Sequence, residues 1–212
     1  MKKMKLIIAL LFVSFFASAQ VAKEKKGFVE VEAEDFVSQT KDDVRKWYVV
    51  KKGAVPEIAD ENLLEGASGD AYIEILPDTR KTHDDKLTAG VNFSNEAGQM
   101  AIVSYKVKFK TTGKYYVWVR THSTGSEDNG VHVGLDGEWP ESGNRMQWCE
   151  GKKQWTWDSK QRTEEVHCGV EKLIYLDIKE KGEHTISFSM REDGFSMDKW
   201  AMSLEYESPE ER

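Results

Sequence analysis

The chain alternates between apolar and polar positions. Over residues 114–122, Tyr115, Val117 and Val119 interleave with Tyr116, Trp118 and Arg120. Over 130–135, Val131, Val133 and Leu135 interleave with His132 and Gly134. A period of two on both sides of a polar loop predicts two strands, each burying one face. The loop itself, 123–129, holds Glu127, Asp128 and Asn129, more hydrogen-bonding capacity than a plain turn requires. The same alternation recurs at 28–35, where Val29, Val31 and Ala33 oppose Glu30, Glu32 and Glu34. It recurs again at 100–110, 184–191 and 198–206, with shorter candidates at 47–51, 71–76 and 173–179. Residues 77–99 have little period and predict a long surface loop, and Glu192-Asp193-Gly194 predicts a tight turn. No segment sustains a period of 3.6, and there is neither an internal repeat nor a low-complexity linker. Eight to ten short strands with turn punctuation predict an all-β fold, a two-sheet jelly-roll β-sandwich forming one domain over 28–208.

The first residues follow another pattern. Lys2, Lys3 and Lys5 precede an apolar run at 6–16, followed by Ala17-Ser18-Ala19. That run is about half of the ~20 residues a membrane span requires. It predicts a signal peptide at 1–19, cut before Gln20, then a short leader at 20–27. The expected destination is secretion or the periplasm, without membrane insertion. Losing that segment removes three Lys and no acid, so the formal charge moves from −7 to −10. A chain this acidic offers no electrostatic footprint for nucleic acid. In an oxidising compartment Cys149 and Cys168 are expected to pair, with a metal-binding or nucleophilic thiol as the rival reading.

The stretches VEAEDF, GKYYVWVR…DNGVHVGLDG, WTW and GEHTISFSMREDGFSMDKWAMS, in that order, resemble the galactose-binding-like β-sandwiches. These include carbohydrate-binding modules of families 6 and 35 and the C-terminal domain of family 115 glycoside hydrolases. The resemblance spans roughly 28–206. A Trp-rich, Cys-linked insertion at 138–170 departs from the pattern, and no catalytic domain accompanies the module. The resemblance implies a non-catalytic protein that binds a polysaccharide or oligosaccharide beside a glycan-degrading enzyme. It also implies a structural Ca²⁺ on Glu32, Glu34 and Asp198, hard oxygen ligands of the kind calcium takes. Two carboxylates spaced two apart on a strand leave the same face, which suits that role, although a solvated acidic face has the same pattern.

Aromatic side chains stack on the C–H faces of sugars while polar groups fix the hydroxyls. The insertion carries Trp139, Trp148, Trp155 and Trp157, four of the chain's seven Trp, beside Asn144, Arg145 and Gln147. With Asp128, Asn129 and Arg120 they form the candidate glycan surface, and packing in the core is the competing role for each Trp. Arg145 and Arg120 are the first candidates for meeting a carboxylate or sulfate, because guanidinium binds such groups in a fork. No HExxH, GxSxG or nucleotide-binding Gly loop occurs. A β-sandwich polysaccharide lyase drawing on Tyr116, His122, His132 and Arg120 is the enzymatic alternative, and a structural or protein-binding envelope protein is the second.

Overall fold

A computed structural model describes residues 21–59 and 61–212. The predicted signal peptide and its cut before Gln20 lie outside the described residues. Strands β1 (Val21–Lys23), β2 (Phe28–Glu32), β3 (Ser38–Thr40), β4 (Lys46–Lys51) and β5 (Ala71–Leu76) precede the long loop 77–99. Then come β6 (Ile102–Phe109), β7 (Gly113–His122) and β8 (Gly130–Leu135). The insertion contributes β9 (Met146–Gln147), β10 (Trp155–Asp158), β11 (Lys160–Gln161) and β12 (Val170–Glu171). Finally come β13 (Tyr175–Ile178), β14 (Gly182–Met190) and β15 (Ser196–Ser203). Helix is confined to short 3-10 turns among the described residues.

The strands form two sheets. One runs β1-β6-β14-β8-β9-β11-β12, with β3 also on β6. The other runs β10-β7-β15-β5-β4, with β13 on β7 and β2 on β15. The alternation read from the sequence becomes burial: Val103, Tyr105, Val107 and Phe109 from the first sheet meet Tyr115, Val117, Val119 and Trp200 from the second in one core. Tyr105 and Phe188 close on Trp200 across the sheets, with ring centroids 5.0 and 5.5 Å away in tilted or edge-on geometry, which aromatic quadrupoles favour.

Three expectations change here. The leader is part of the sheet: β1 pairs in parallel with β6, and the fully buried Glu24 accepts hydrogen bonds from the amides of Gly27, Lys110 and Thr111. The strand expected over 28–35 ends at Glu32, and Ala33–Asp35 is a 3-10 turn. Glu32 and Glu34 therefore do not share a strand face. The insertion, for which the alternation predicts no strand, extends both sheets, with β9, β11 and β12 on one and β10 on the other.

The connections meet at one end of the sandwich. The Gly194 amide donates to Ile75 O at 2.8 Å, and the Ser94 amide to Arg191 O at 2.9 Å. The Asn129 amide reaches Glu192 Oε2 at 3.2 Å, and the Trp148 amide reaches Asn129 O at 2.9 Å. Loop 77–99, loop 123–129, the insertion and the 191–194 turn are thus tied together by backbone bonds and by the Glu192 carboxylate.

Candidate functional site

Where those four segments converge there is a cleft of about 480 Å³. Arg80, Arg145, Arg162 and Arg191 line it with His83, His167, Phe93, Leu87, Glu127 and Glu192. Phe93 is half-buried, with the Arg191 guanidinium over its ring at 3.9 Å, and Leu87 is 48% exposed. Phe93 also lines a neighbouring cleft of about 540 Å³ containing Val44, Ser94, Asn95 and Gln99, so the two openings adjoin at this ring. An aromatic wall flanked by hydrogen-bond donors is the arrangement small-molecule sites share.

The charges here are not balanced. Four guanidinium groups face two carboxylates. Arg191 is 4% exposed, and its Nε and Nη1 have no hydrogen-bond partner, as is also true of Nε in Arg80 and Arg145. Burial, and then the Arg145, Arg162 and Arg80 charges, bring Arg191 down to about 10 despite Glu192, whose Oε1 is 3.5 Å from Nη1. Burial pushes the Glu192 carboxyl up to about 7. Burial would raise Glu127 too, but bonds from the Ser126 hydroxyl and amide, with Arg80 and His83 nearby, hold it below the usual carboxylate range.

The residues beneath the cleft fix its shape. Arg145 has φ +55°, a left-handed conformation that L residues rarely adopt. Its amide donates to His132 Nδ1 at 3.1 Å, and its carbonyl accepts from the Arg162 amide at 2.9 Å. His132 is fully buried and, with Nδ1 accepting, its Nε2 donates to Ser94 O at 3.3 Å. Gly130 lies under Arg191, where a Cβ would be 3.0 Å from Arg191 Cγ and 3.3 Å from Glu192 Oε2. Asp193 holds the base of loop 77–99: its Oδ2 accepts from Arg45, from the Thr79 amide at 3.0 Å and from the Thr79 hydroxyl at 2.8 Å.

Of the residues expected to bind glycan, only Arg145 faces this cleft. Asp128 is a brace: Ser123 Oγ, the Gly125 amide, and the Thr124 amide and hydroxyl all donate to it. Asn129 is another, donating to Trp148 O and accepting from Gln147 Nε2. Trp148 is 1% exposed and packs on Phe195, because the bonds to Asn129 pull its segment inward. Trp155 is covered by the 63–67 segment, stacks against Tyr72 and donates to Leu63 O. Trp139 lies over Gly98 and Gly134, its Nε1 2.2 Å from where a Gly98 Cβ would stand. Trp148 and Trp155 thus fill space within the fold, whereas Trp139 packs over these glycines and stays partly exposed. Trp157 remains partly exposed, beside Arg120 and Lys199 on the other sheet. The disulfide Cys149–Cys168 forms, with a Cα–Cα distance of 5.4 Å, and ties the segment that carries Arg162 and His167 back to β9.

Arg80, His83, Phe93, Arg191 and Glu192, which also line the cleft, belong to no ligand-binding motif in the sequence. One signal could have found most of them: a loop longer than about 15 residues inside a compact domain is usually functional.

A second charged cluster joins β2, β7 and β15. The Arg120 guanidinium donates to Asp198 Oδ2, the Ser68 amide to Asp198 Oδ1 at 2.7 Å, and the Ser68 hydroxyl to Glu32 Oε1 at 3.0 Å. Lys199 Nζ is 2.9 Å from Glu30 and 3.1 Å from Glu32. Burial raises the Glu34 carboxyl, and the charges of Glu32, Asp35 and Asp198 add to that. Oε2 of Glu32 and Oε2 of Glu34 are buried without a hydrogen-bond partner. As they stand, no three His, Cys, Asp or Glu side chains among the described residues are arranged to hold a metal. The proposed lyase residues are dispersed, with His132 on β8 of one sheet and Tyr116, Arg120 and His122 along β7 of the other.

Comparison with known proteins places this architecture. The sequence matches the glycosyl hydrolase family 115 C-terminal domain over residues 58–208. It is 58% identical over 186 residues to "Uncharacterized protein P23" of Formosa agariphila, covering 86% of this chain and 45% of that protein. The chain thus spans less than half the length of that relative. Among solved structures it is similar to a CBM35 from Paenibacillus barcinonensis (14% identity, TM-score 0.47, 83% of this chain and 98% of that one). It is also similar to the C-terminal CBM6 of LamC from Zobellia galactanivorans (13%, 0.44, 83% and 98%). With its match covering well over half of its length, the chain belongs to the family of glycosyl hydrolase family 115 C-terminal domains.

Proposed function

We propose that this protein is an exported, non-catalytic glycan-binding domain that holds a polysaccharide in the cleft around Phe93. One observation carries this reading. A half-buried aromatic ring lies at the junction of two adjoining clefts, ringed by guanidinium groups with unused donors. A sugar ring has the apolar face and the hydroxyl edge that such walls accept. Affinity electrophoresis against plant and algal polysaccharides tests it. The expected result is retardation by at least one polysaccharide, lost in Phe93→Ala. No retardation by any of them would overturn the reading. Delivery of a glycan-degrading enzyme to its substrate is the role this binding would serve.

Calcium belongs to the same proposal. Two buried, unpartnered carboxylate oxygens and the accumulated negative charge at Glu34 support a cation held by Glu32, Glu34 and Asp198. It would compete there with Arg120 and Lys199, and backbone or water oxygens would complete its shell. Its contribution would be structural, joining the ends of β2 and β15. A ligand that binds only the folded state stabilises it by mass action. Millimolar calcium should therefore raise the Tm of the wild type and leave Glu34→Gln unmoved; an unchanged wild-type Tm would exclude the ion.

A further inference from the structure

We infer that Arg80, Arg145, Arg162 and Arg191 form a site for an oxyanion carried on the glycan, a uronate carboxylate or a sulfate ester. The inference rests on the glycan-binding reading above and specifies what that cleft selects. It begins from an imbalance. The chain as a whole is acidic, at −7, yet this one cleft gathers four guanidinium groups against Glu127 and Glu192. Neither carboxylate satisfies the surplus: Glu127 is 3.8 Å from Arg80, and Glu192 is 3.5 Å from Arg191. Four guanidinium nitrogens, on Arg80, Arg145 and Arg191, are buried with no hydrogen-bond acceptor. Leaving a charged donor buried and unmet is costly, so a fold that keeps several of them has a use for an acceptor arriving from outside.

The geometry is also prepared in advance. The Arg191 guanidinium sits over the Phe93 ring, 3.9 Å from its centroid, which restrains its fork. Arg145 is held at φ +55° by the bonds from its amide to His132 and to its carbonyl from Arg162. Non-glycine residues kept in that region are often found where the backbone serves a site. Planar guanidinium groups bind carboxylate and sulfate oxygens through paired N–H bonds that an ammonium cannot reproduce. A sugar bearing such a group could place its ring on Phe93 and its oxyanion on the guanidinium groups.

Isothermal titration with matched pairs tests the inference: polygalacturonate against its methyl ester, and a sulfated galactan against its desulfated product. The expected result is at least tenfold tighter binding to the charged member of one pair, weakening as salt rises. Preference within the first pair identifies a carboxylate, and within the second a sulfate. Arg145→Gln and Arg162→Gln, both partly exposed and so tolerable to the fold, should each lose the preference. Arg191→Lys, which keeps the charge without the fork, should lose most of it. Equal affinity for charged and neutral members, unchanged in these variants, would overturn the oxyanion site and leave glycan binding standing. Absence of binding to all four polysaccharides would overturn both.

Discussion

Glu192 and His132 act on opposite sides of one pH window. Burial raises the Glu192 carboxyl from 4.5 to about 7, against the pull of Arg191, the Asn129 amide and Arg80. The folded protein therefore holds a proton that the unfolded chain has released, so this group's contribution to stability falls as pH rises from 4.5 to 7. Burial lowers His132 from 6.5 to about 4, with Arg191 and Arg145 adding to it. There the unfolded chain takes the proton first, so stability is lost as pH falls from 6.5 towards 4. Each effect is roughly 3 kcal/mol by linkage, and in the wild type they oppose one another. Glu192→Gln removes one side. Relative to wild type, the variant should gain about 3 kcal/mol between pH 4.5 and 7, read as the difference in urea-unfolding free energy across that range. A pH-independent difference would refute the assignment. Neither group was legible in the sequence. His132 alternates away from Val131 and Val133 and so looked exposed, but the insertion covers the face it points to, and Arg145 and Ser94 close over it.

At the scale of elements, loop 123–129 mainly positions other segments, lending only Ser126 and Glu127 to the cleft lining. Asp128 is 5% exposed and ties the loop to itself through four donors. Asp128→Ala should cost about 3 kcal/mol and weaken glycan binding as well, because its neighbour Glu127 lines the cleft and the Asn129 amide on its other side holds Glu192. A thermal-shift series with a binding assay on the same samples checks both; unaltered binding would mean the cleft does not depend on the loop. The disulfide constrains the neighbouring insertion. Replacing both Cys149 and Cys168 by Ser should cost roughly 3 kcal/mol, the chain-entropy value for a loop of this length, measured by urea unfolding. Strands with enough residues to show a period were legible: 71–76 and 130–135 were read to the residue as β5 and β8. Strands of two residues, such as β9, β11 and β12, have no period to read. They exist because β8 and β14 offer a sheet for them to extend. The long loop 77–99 was legible as a loop, but the placing of its Arg80 and Phe93 depends on pairing with the 191–194 turn, about a hundred residues away.

For the whole molecule, two charge clusters would keep the proposed recognition apart from stability. The cleft draws on loop 77–99, the insertion and the 191–194 turn, whereas Arg120, Asp198, Glu32 and Lys199 join β2, β7 and β15, and the two lined regions share no residue. Arg120, expected from the sequence to contact glycan, instead neutralises Asp198, which is fully buried. Removing one partner of such a pair strands a charge, at a cost of about 3 kcal/mol. Arg120→Gln should therefore lower the Tm while leaving polysaccharide affinity within twofold, and Arg145→Gln should do the reverse. Sites without shared partners combine additively, so the double variant should show the sum of the two effects in both measurements. Calcium sharpens the distinction. With Arg120 gone, Asp198 has lost its competing cation, so added calcium should raise the Tm of Arg120→Gln by more than it raises that of the wild type. If it raises both equally, Asp198 is not one of the ion's ligands. If Arg120→Gln loses affinity along with stability, the two clusters are coupled through β7, and the cleft extends further along the sheet than its lining residues indicate.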